Sequence, residues 1–226
     1  MTNKFIFFLR NFKSFLLLFL IPYSLLSQNS LKQIEDSPRH HEWVSISSED
    51  MELKSFLVFP EISESVPVVI LIHENRGLNN WARSMADQIS AMGYIVLAPD
   101  LLSGHAPNGG GTSSFEDSDA ARKAIYNLDD KQITNNLKVL FEYGKNIPAS
   151  NGKVSVIGFC WGGSQSFRFA SNENQLEAVF VCYGTGPKES KAYESIQAPV
   201  YGFYGENDNR VNATIKNSQK LMQSLG

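Results

Sequence analysis

Residues Gly158-Phe159-Cys160-Trp161-Gly162-Gly163 constrain this chain more than any other stretch. The segment before them, Lys153-Val154-Ser155-Val156-Ile157, is short and β-branched and reads as a buried strand. The segment after them, Ser164 to Ala170, reads as a helix. Strand, then Gly-x-Cys-x-Gly-Gly, then helix is the layout of a nucleophile elbow with cysteine in the serine position. Such a turn forces its central residue into a strained backbone conformation. Small residues two positions either side let strand and helix approach closely enough to permit it. Cys160 then projects at the C-terminal edge of a sheet, where the N-terminus of the following helix favours a thiolate. The competing reading is a small buried core cysteine among ordinary glycines. The common register of strand, glycines and helix argues against it.

The rest of the chain supplies a sheet for such an elbow. Glu42 to Ser47 and Glu52 to Phe59 fit two antiparallel strands around the turn Ser48-Glu49-Asp50. Val66 to Ile72 is a continuous apolar run, as expected of a strand covered on both faces. From Asn79 to Met92 the apolar residues Trp81, Met85, Ile89 and Met92 share one helical face, and Gly93 stops the helix. Tyr94 to Ala98 is a strand ended by Pro99. Helices follow over about Asp117–Leu128 and Asp130–Lys145, then the elbow, strands near Ala178–Tyr183 and Val200–Tyr204, and a helix from about Asn212. Alternating strands and helices predict an α/β fold, a mainly parallel sheet with helices on both faces. The Gly-rich segment Gly104–Ser114 has no Lys-Ser/Thr at phosphate-loop spacing. It reads as a mobile site rim or as an inert loop.

Four landmarks stand in a fixed order: His73-Glu74-Asn75-Arg76-Gly77-Leu78, Ala98-Pro99-Asp100-Leu101, the elbow, and Tyr204-Gly205-Glu206-Asn207-Asp208. On these the chain resembles the dienelactone hydrolase (carboxymethylenebutenolidase-like) family of α/β-hydrolases. The resemblance implies an α/β-hydrolase fold. It also implies hydrolysis of an ester or lactone through a cysteine nucleophile, Cys160, and a thioester acyl-enzyme. Asp208, in a turn after a strand, falls where such folds place the catalytic acid; a plain turn aspartate is the alternative. The oxyanion hole needs two backbone N–H groups. Trp161, the residue after the nucleophile, and Asn75, on the loop after an early strand, are the candidates. A glutamate matching Glu74 contacts the active-site cysteine in the family and is held to control its ionisation. A Glu74–Arg76 ion pair is the other reading. Arg76 is a candidate carboxylate clamp, because a guanidinium matches a carboxylate fork. Where the best-known members carry a substrate-binding arginine, this chain has Leu102-Ser103-Gly104-His105. His105 or Arg76 then takes that role, or the substrate is not an anionic dienelactone. Arg210 reads as structural.

The family's general base is a histidine after the acid, yet no histidine follows His105. His40 and His41 lie in a polar lead-in, His73 beside the oxyanion loop and His105 on the Gly-rich rim. The helix from Asn212 looks like the penultimate helix of such a fold. The domain therefore reads as C-terminally truncated. A further strand, the histidine and a last helix are expected beyond Gly226, and this fragment is expected to be inactive without them. The alternative is a non-catalytic small-molecule binding protein on a hydrolase scaffold. An esterase or thioesterase without dienelactone activity keeps the same chemistry, and a thiol-exchange role is disfavoured because there is no Cys-x-x-Cys.

Lys4, Arg10 and Lys13 precede an apolar run from Phe15 to Leu26 and then Ser27-Gln28. That pattern predicts a secretory signal peptide over residues 1–27 and a hydrolase domain over 28–226, with a secreted or periplasmic product. An uncleaved membrane anchor is the alternative. Cleavage would remove three of 20 basic residues and none of 23 acidic ones, taking the net charge from −3 to −6. With no basic patch, nucleic acid is not an expected partner. The expected partner is a small ester or lactone, bound by a monomer free of the membrane once the signal is removed. No metal-ligand pattern is visible, so no cofactor is expected. Cys182 lies in an apolar strand and reads as a buried core thiol; a Cys160–Cys182 disulfide in an oxidising compartment is the other reading.

Overall fold

The computed structural model describes residues 5–7, 23–49 and 51–224. Most of the predicted signal peptide lies outside these residues. Within it the backbone forms a short strand, β1 (Phe5–Phe7), and the start of helix α1 (Tyr23–Glu35). The lead-in from Gln28 is thus helical as far as Glu35, which its polar composition did not suggest. The reason is tertiary. Ser84 on the next helix donates to Gln33 at 2.7 Å, and Ile34 packs into the apolar layer beneath it.

The hairpin β2 (His40–Ser48) and β3 (Met51–Phe59) precedes β4 (Val66–Ile72), α2 (Asn80–Ser90), β5 (Ile95–Pro99), α3 (Ser118–Tyr126) and α4 (Asp130–Lys145). Then come β6 (Ser150–Phe159), α5 (Trp161–Ala170), β7 (Val179–Cys182), β8 (Val200–Phe203) and α6 (Asn209–Ser224). The sheet order is β1-β8-β7-β6-β4-β5-β3-β2. All neighbours from β1 to β5 pair parallel, while β3 joins β5 and β2 antiparallel. This is the α/β-hydrolase architecture expected from the sequence.

Strand periodicity divides the core in two. Val68, Ile70 and Ile72 of β4 pack with Leu137, Leu140 and Phe141 of α4 and Phe167 of α5. Val69 and Leu71 face the other way, onto Ala82 and Ala86 of α2. Helix starts are fixed by side-chain caps: Asn79 accepts from the Ala82 N–H at 3.0 Å, and Asp117 and Asp129 do the same for α3 and α4. Strands β4 and β6 are neighbours, but the chain leaves β4 towards β5 on one side and β6 towards β7 on the other. That is a topological switch point, so the loops after β4 and β6 meet at the C-terminal sheet edge.

Candidate active site

The elbow forms as the sequence predicts. Cys160 sits between β6 and α5 at φ 54°, ψ −115°, a left-side conformation that a non-glycine residue holds only at a cost of about 1–3 kcal/mol. Its N–H donates to the Cys182 carbonyl at 2.9 Å, and its carbonyl accepts from Ser164 N–H at 3.2 Å, so backbone bonds on both sides over-determine the turn. The flanking glycines are required by contact. A Cβ on Gly158 would fall 1.9 Å from the Gly162 carbonyl oxygen, and one on Gly162 would fall 2.3 Å from the His73 oxygen.

Burial pushes the Cys160 thiol above its usual range, and the Glu74 and Asp208 carboxylates push it further. The neighbouring Trp161 backbone N–H and the Arg210 guanidinium oppose this without winning. The backbone at the start of α5 lowers the thiol pKa and Glu74 raises it, each in the direction the sequence suggests, and the net shift is upward. One helix end does not overcome desolvation and two anions. Cys182 is a free thiol, as is Cys160, and burial pushes it up to about 12. It carries no thiolate at ordinary pH, which agrees with the core reading.

Glu74 faces the cysteine from the β4 loop and accepts a hydrogen bond from the Tyr183 hydroxyl at 2.9 Å. Sequence reasoning missed Tyr183. It lies 109 residues from Glu74 in the chain, and nothing local marks it beyond following an apolar strand. The structure gives it a positive φ of 44°, and burial followed by Glu74 holds its phenol far above the usual range. It is a neutral donor that fixes the Glu74 carboxylate. Asn75 donates its side-chain amide to Tyr126 at 3.1 Å, which anchors the oxyanion loop to the end of α3. Asp208 caps α6 by accepting from Val211 N–H at 3.0 Å.

A family model for the dienelactone hydrolase family matches residues 53–225. The chain belongs to that family. Carboxymethylenebutenolidases of Pseudomonas putida and Pseudomonas knackmussii are each 28% identical to it over 190 residues, covering 82% of this chain and 78% of theirs. Among solved structures, the dienelactone hydrolase from Anabaena variabilis shares 20% identity at a TM-score of 0.65, with 82% of each chain covered. The dienelactone hydrolase-like promiscuous phosphotriesterase P91, from metagenomic libraries, shares 22% identity at a TM-score of 0.70, over 83% of this chain and 77% of that one. These two likenesses show the fold.

Among dienelactone hydrolase-family features, the histidines and the arginine depart from the expected pattern. His73 is fully buried, and both ring nitrogens are engaged. Nδ1 lies 2.7 Å from the Glu74 carbonyl oxygen and must donate to it, while Nε2 accepts from Leu101 N–H at 3.3 Å. Burial, opposed by Asp100, lowers its pKa, so it is a neutral support stacked 5.8 Å from Trp161. His41 is bound to Asp87 at 2.8 Å and His40 to Glu42 at 3.4 Å. His105 is exposed, and its ring makes no hydrogen bond among the described residues. Arg76 donates to Ser118 Oγ at 2.8 Å and lines a cavity that Cys160 does not line. Among the described residues no group of histidines, cysteines and acids could hold a metal.

Proposed function

We propose that this hydrolase cleaves a carboxylic ester or lactone through Cys160. The observation that carries the reading is the strained Cys160 elbow, locked by backbone hydrogen bonds on both sides of the turn. In the proposed cycle the thiol loses its proton to a base and the sulfur attacks the carbonyl carbon. The carbonyl oxygen becomes an oxyanion held by the backbone N–H groups of Trp161 and Asn75. The C–O bond then breaks, the alcohol leaves with a proton, and a thioester to Cys160 remains. Water hydrolyses it, restoring the thiol and releasing the acid. Asp208 is the orienting acid of this scheme, and Glu74 sets when the thiol ionises. Where the best-known members carry a substrate-binding arginine, Leu102-Ser103-Gly104-His105 stands here, which supports a substrate other than an anionic dienelactone.

The second reading is a small-molecule binding protein on the same scaffold. It is favoured by His41 and His73 being committed to partners away from the sulfur.

The two cysteines give the test. Cys160→Ala should abolish hydrolysis of p-nitrophenyl acetate and its acyl burst, while Cys182→Ala should keep most of both. Equal loss from either change in folded protein would sink the nucleophile assignment.

A further inference from the structure

On the far side of the oxyanion loop, a cavity of about 440 Å³ opens between β2, the first turn of α2 and the segment leading into α3. Trp43, Phe115 and Leu78 give it apolar walls, and Arg76, Arg83 and Asn80 give it polar ones. Cys160, Glu74 and Asp208 do not line it. Its volume falls within the range of small-molecule pockets, roughly 300–1,000 Å³.

Arg83 is the unusual group. Its guanidinium lies 5.9 Å from the centroid of the Trp43 ring and 5.8 Å from that of Phe56. It hydrogen-bonds the Asn80 side chain, and no carboxylate pairs with it among the described residues. Burial lowers its pKa, with no anion acting to restore it. A half-buried cation left without a counter-charge is costly to keep. Two carboxylates also line the cavity, each held by hydrogen bonds to neutral donors, and Arg76 adds a second cation beside Arg83. Asp100 accepts from Thr112 N–H and Oγ1, each at 2.7 Å, and from Leu102 N–H at 3.1 Å. Asp117 accepts from two N–H groups at the start of α3.

The wall is also set in advance. Thr112 Oγ1 bridges Asp100 and the Leu78 N–H, which donates to it at 2.9 Å. Gly77 turns at φ +75°, and a Cβ there would fall 2.1 Å from that same oxygen. Trp43, 52% exposed on the sheet edge, leaves half its surface for a guest.

We propose that this cavity binds a small planar carboxylate, an aromatic or conjugated acid. Its anion pairs with Arg83, and its ring packs on Trp43 and Phe115. A guanidinium fork fits a carboxylate in two-point geometry, and an aromatic neighbour favours a flat guest on the same cation. The occupant is distinct from the acyl group at Cys160, so the site stands whether or not Cys160 is the nucleophile.

The test is calorimetric titration of the full chain with benzoate and with its neutral counterpart benzamide. Benzoate should bind once per chain, with benzamide at least tenfold weaker. Arg83→Gln should weaken benzoate at least tenfold and leave benzamide unchanged. Trp43→Leu, at a half-exposed position, should weaken both and remove the fluorescence change on binding. Cys160→Ala should bind benzoate like the unaltered chain, and benzoate should not slow iodoacetamide labelling of Cys160. Absence of benzoate binding would overturn the proposal. So would undiminished affinity in Arg83→Gln or, if that variant misfolds, in Trp43→Leu. Protection of Cys160 by benzoate would also overturn it, by putting the ligand at the elbow.

Discussion

Burial and two nearby carboxylates set the behaviour of one sulfur. Burial comes first in raising the Cys160 pKa, and Glu74 is the larger of the two anionic contributions. Replacing that carboxylate by an amide of the same shape removes the repulsion and leaves the desolvation. Glu74→Gln should therefore move the iodoacetamide labelling profile of Cys160 to lower pH and speed labelling near neutrality. Tyr183→Phe, which removes a hydrogen bond but keeps the Glu74 charge, should move it far less. An unchanged or higher apparent thiol pKa in Glu74→Gln would mean that Glu74 serves the loop rather than the sulfur. The Cys160 elbow was legible because strand, glycines and helix fall in register there, whereas Glu74 and Asp208 were proposed from the family resemblance. Tyr183 was not, because its role exists only once β7 is laid beside β6 and its hydroxyl can reach the β4 loop.

At the scale of elements, the join between α1, β2 and α2 rests on one buried carboxylate. Asp87 accepts from Ser37 Oγ at 2.5 Å, Arg39 Nε at 2.8 Å, Arg39 Nη2 at 2.6 Å and His41 Nε2 at 2.8 Å. Burial pushes its pKa up, but the bonds to Arg39, Ser37 and His41 outweigh that and hold it at about 2. Since a carboxylate only accepts, the His41 Nε2 must carry the proton. Asp87→Ala leaves Arg39, with only 15% of its side chain exposed, without its partner, and should cost about 3–5 kcal/mol in urea unfolding. The sign of the pH dependence follows from the depressed pKa. The contribution is complete above the unfolded value of about 3.9 and is lost as pH falls towards about 2. The stability gap between wild type and variant should shrink over that interval; a constant gap would show that packing, not charge, is lost. Little of this junction was legible. The strands and helices from β2 to α6 follow apolar runs, period-2 or period-3.6 patterns, with the caps Asn79, Asp117 and Asp129 in place. The segment before β2 has no such period, and its helix depends on polar bonds to α2.

At the scale of the whole fold, the partners of the described histidines limit which of them can serve the sulfur. A cysteine hydrolase of this plan needs a base that can take the thiol proton and later deliver water to the thioester. His73 is closed at both nitrogens by the Glu74 carbonyl and the Leu101 N–H, and His41 is spent on Asp87 on the α2 side. His40 lies beside Glu42 on β2, in the edge strand. Only His105, on the rim after β5, has an uncommitted ring among the described residues. With the thiol protonated at rest, a chain of residues 1–226 should acylate slowly at neutral pH and faster as pH rises through the Cys160 pKa. Deacylation without a positioned base should be slower still. A stoichiometric burst of p-nitrophenol followed by very slow turnover is therefore the expected time course at alkaline pH. Both phases should vanish in Cys160→Ala. Robust steady-state turnover would contradict this picture, and its loss in His105→Gln would then assign the base to the rim. Loss in His73→Gln would be no such assignment, because that ring holds the oxyanion loop to the end of β5 and stacks on Trp161.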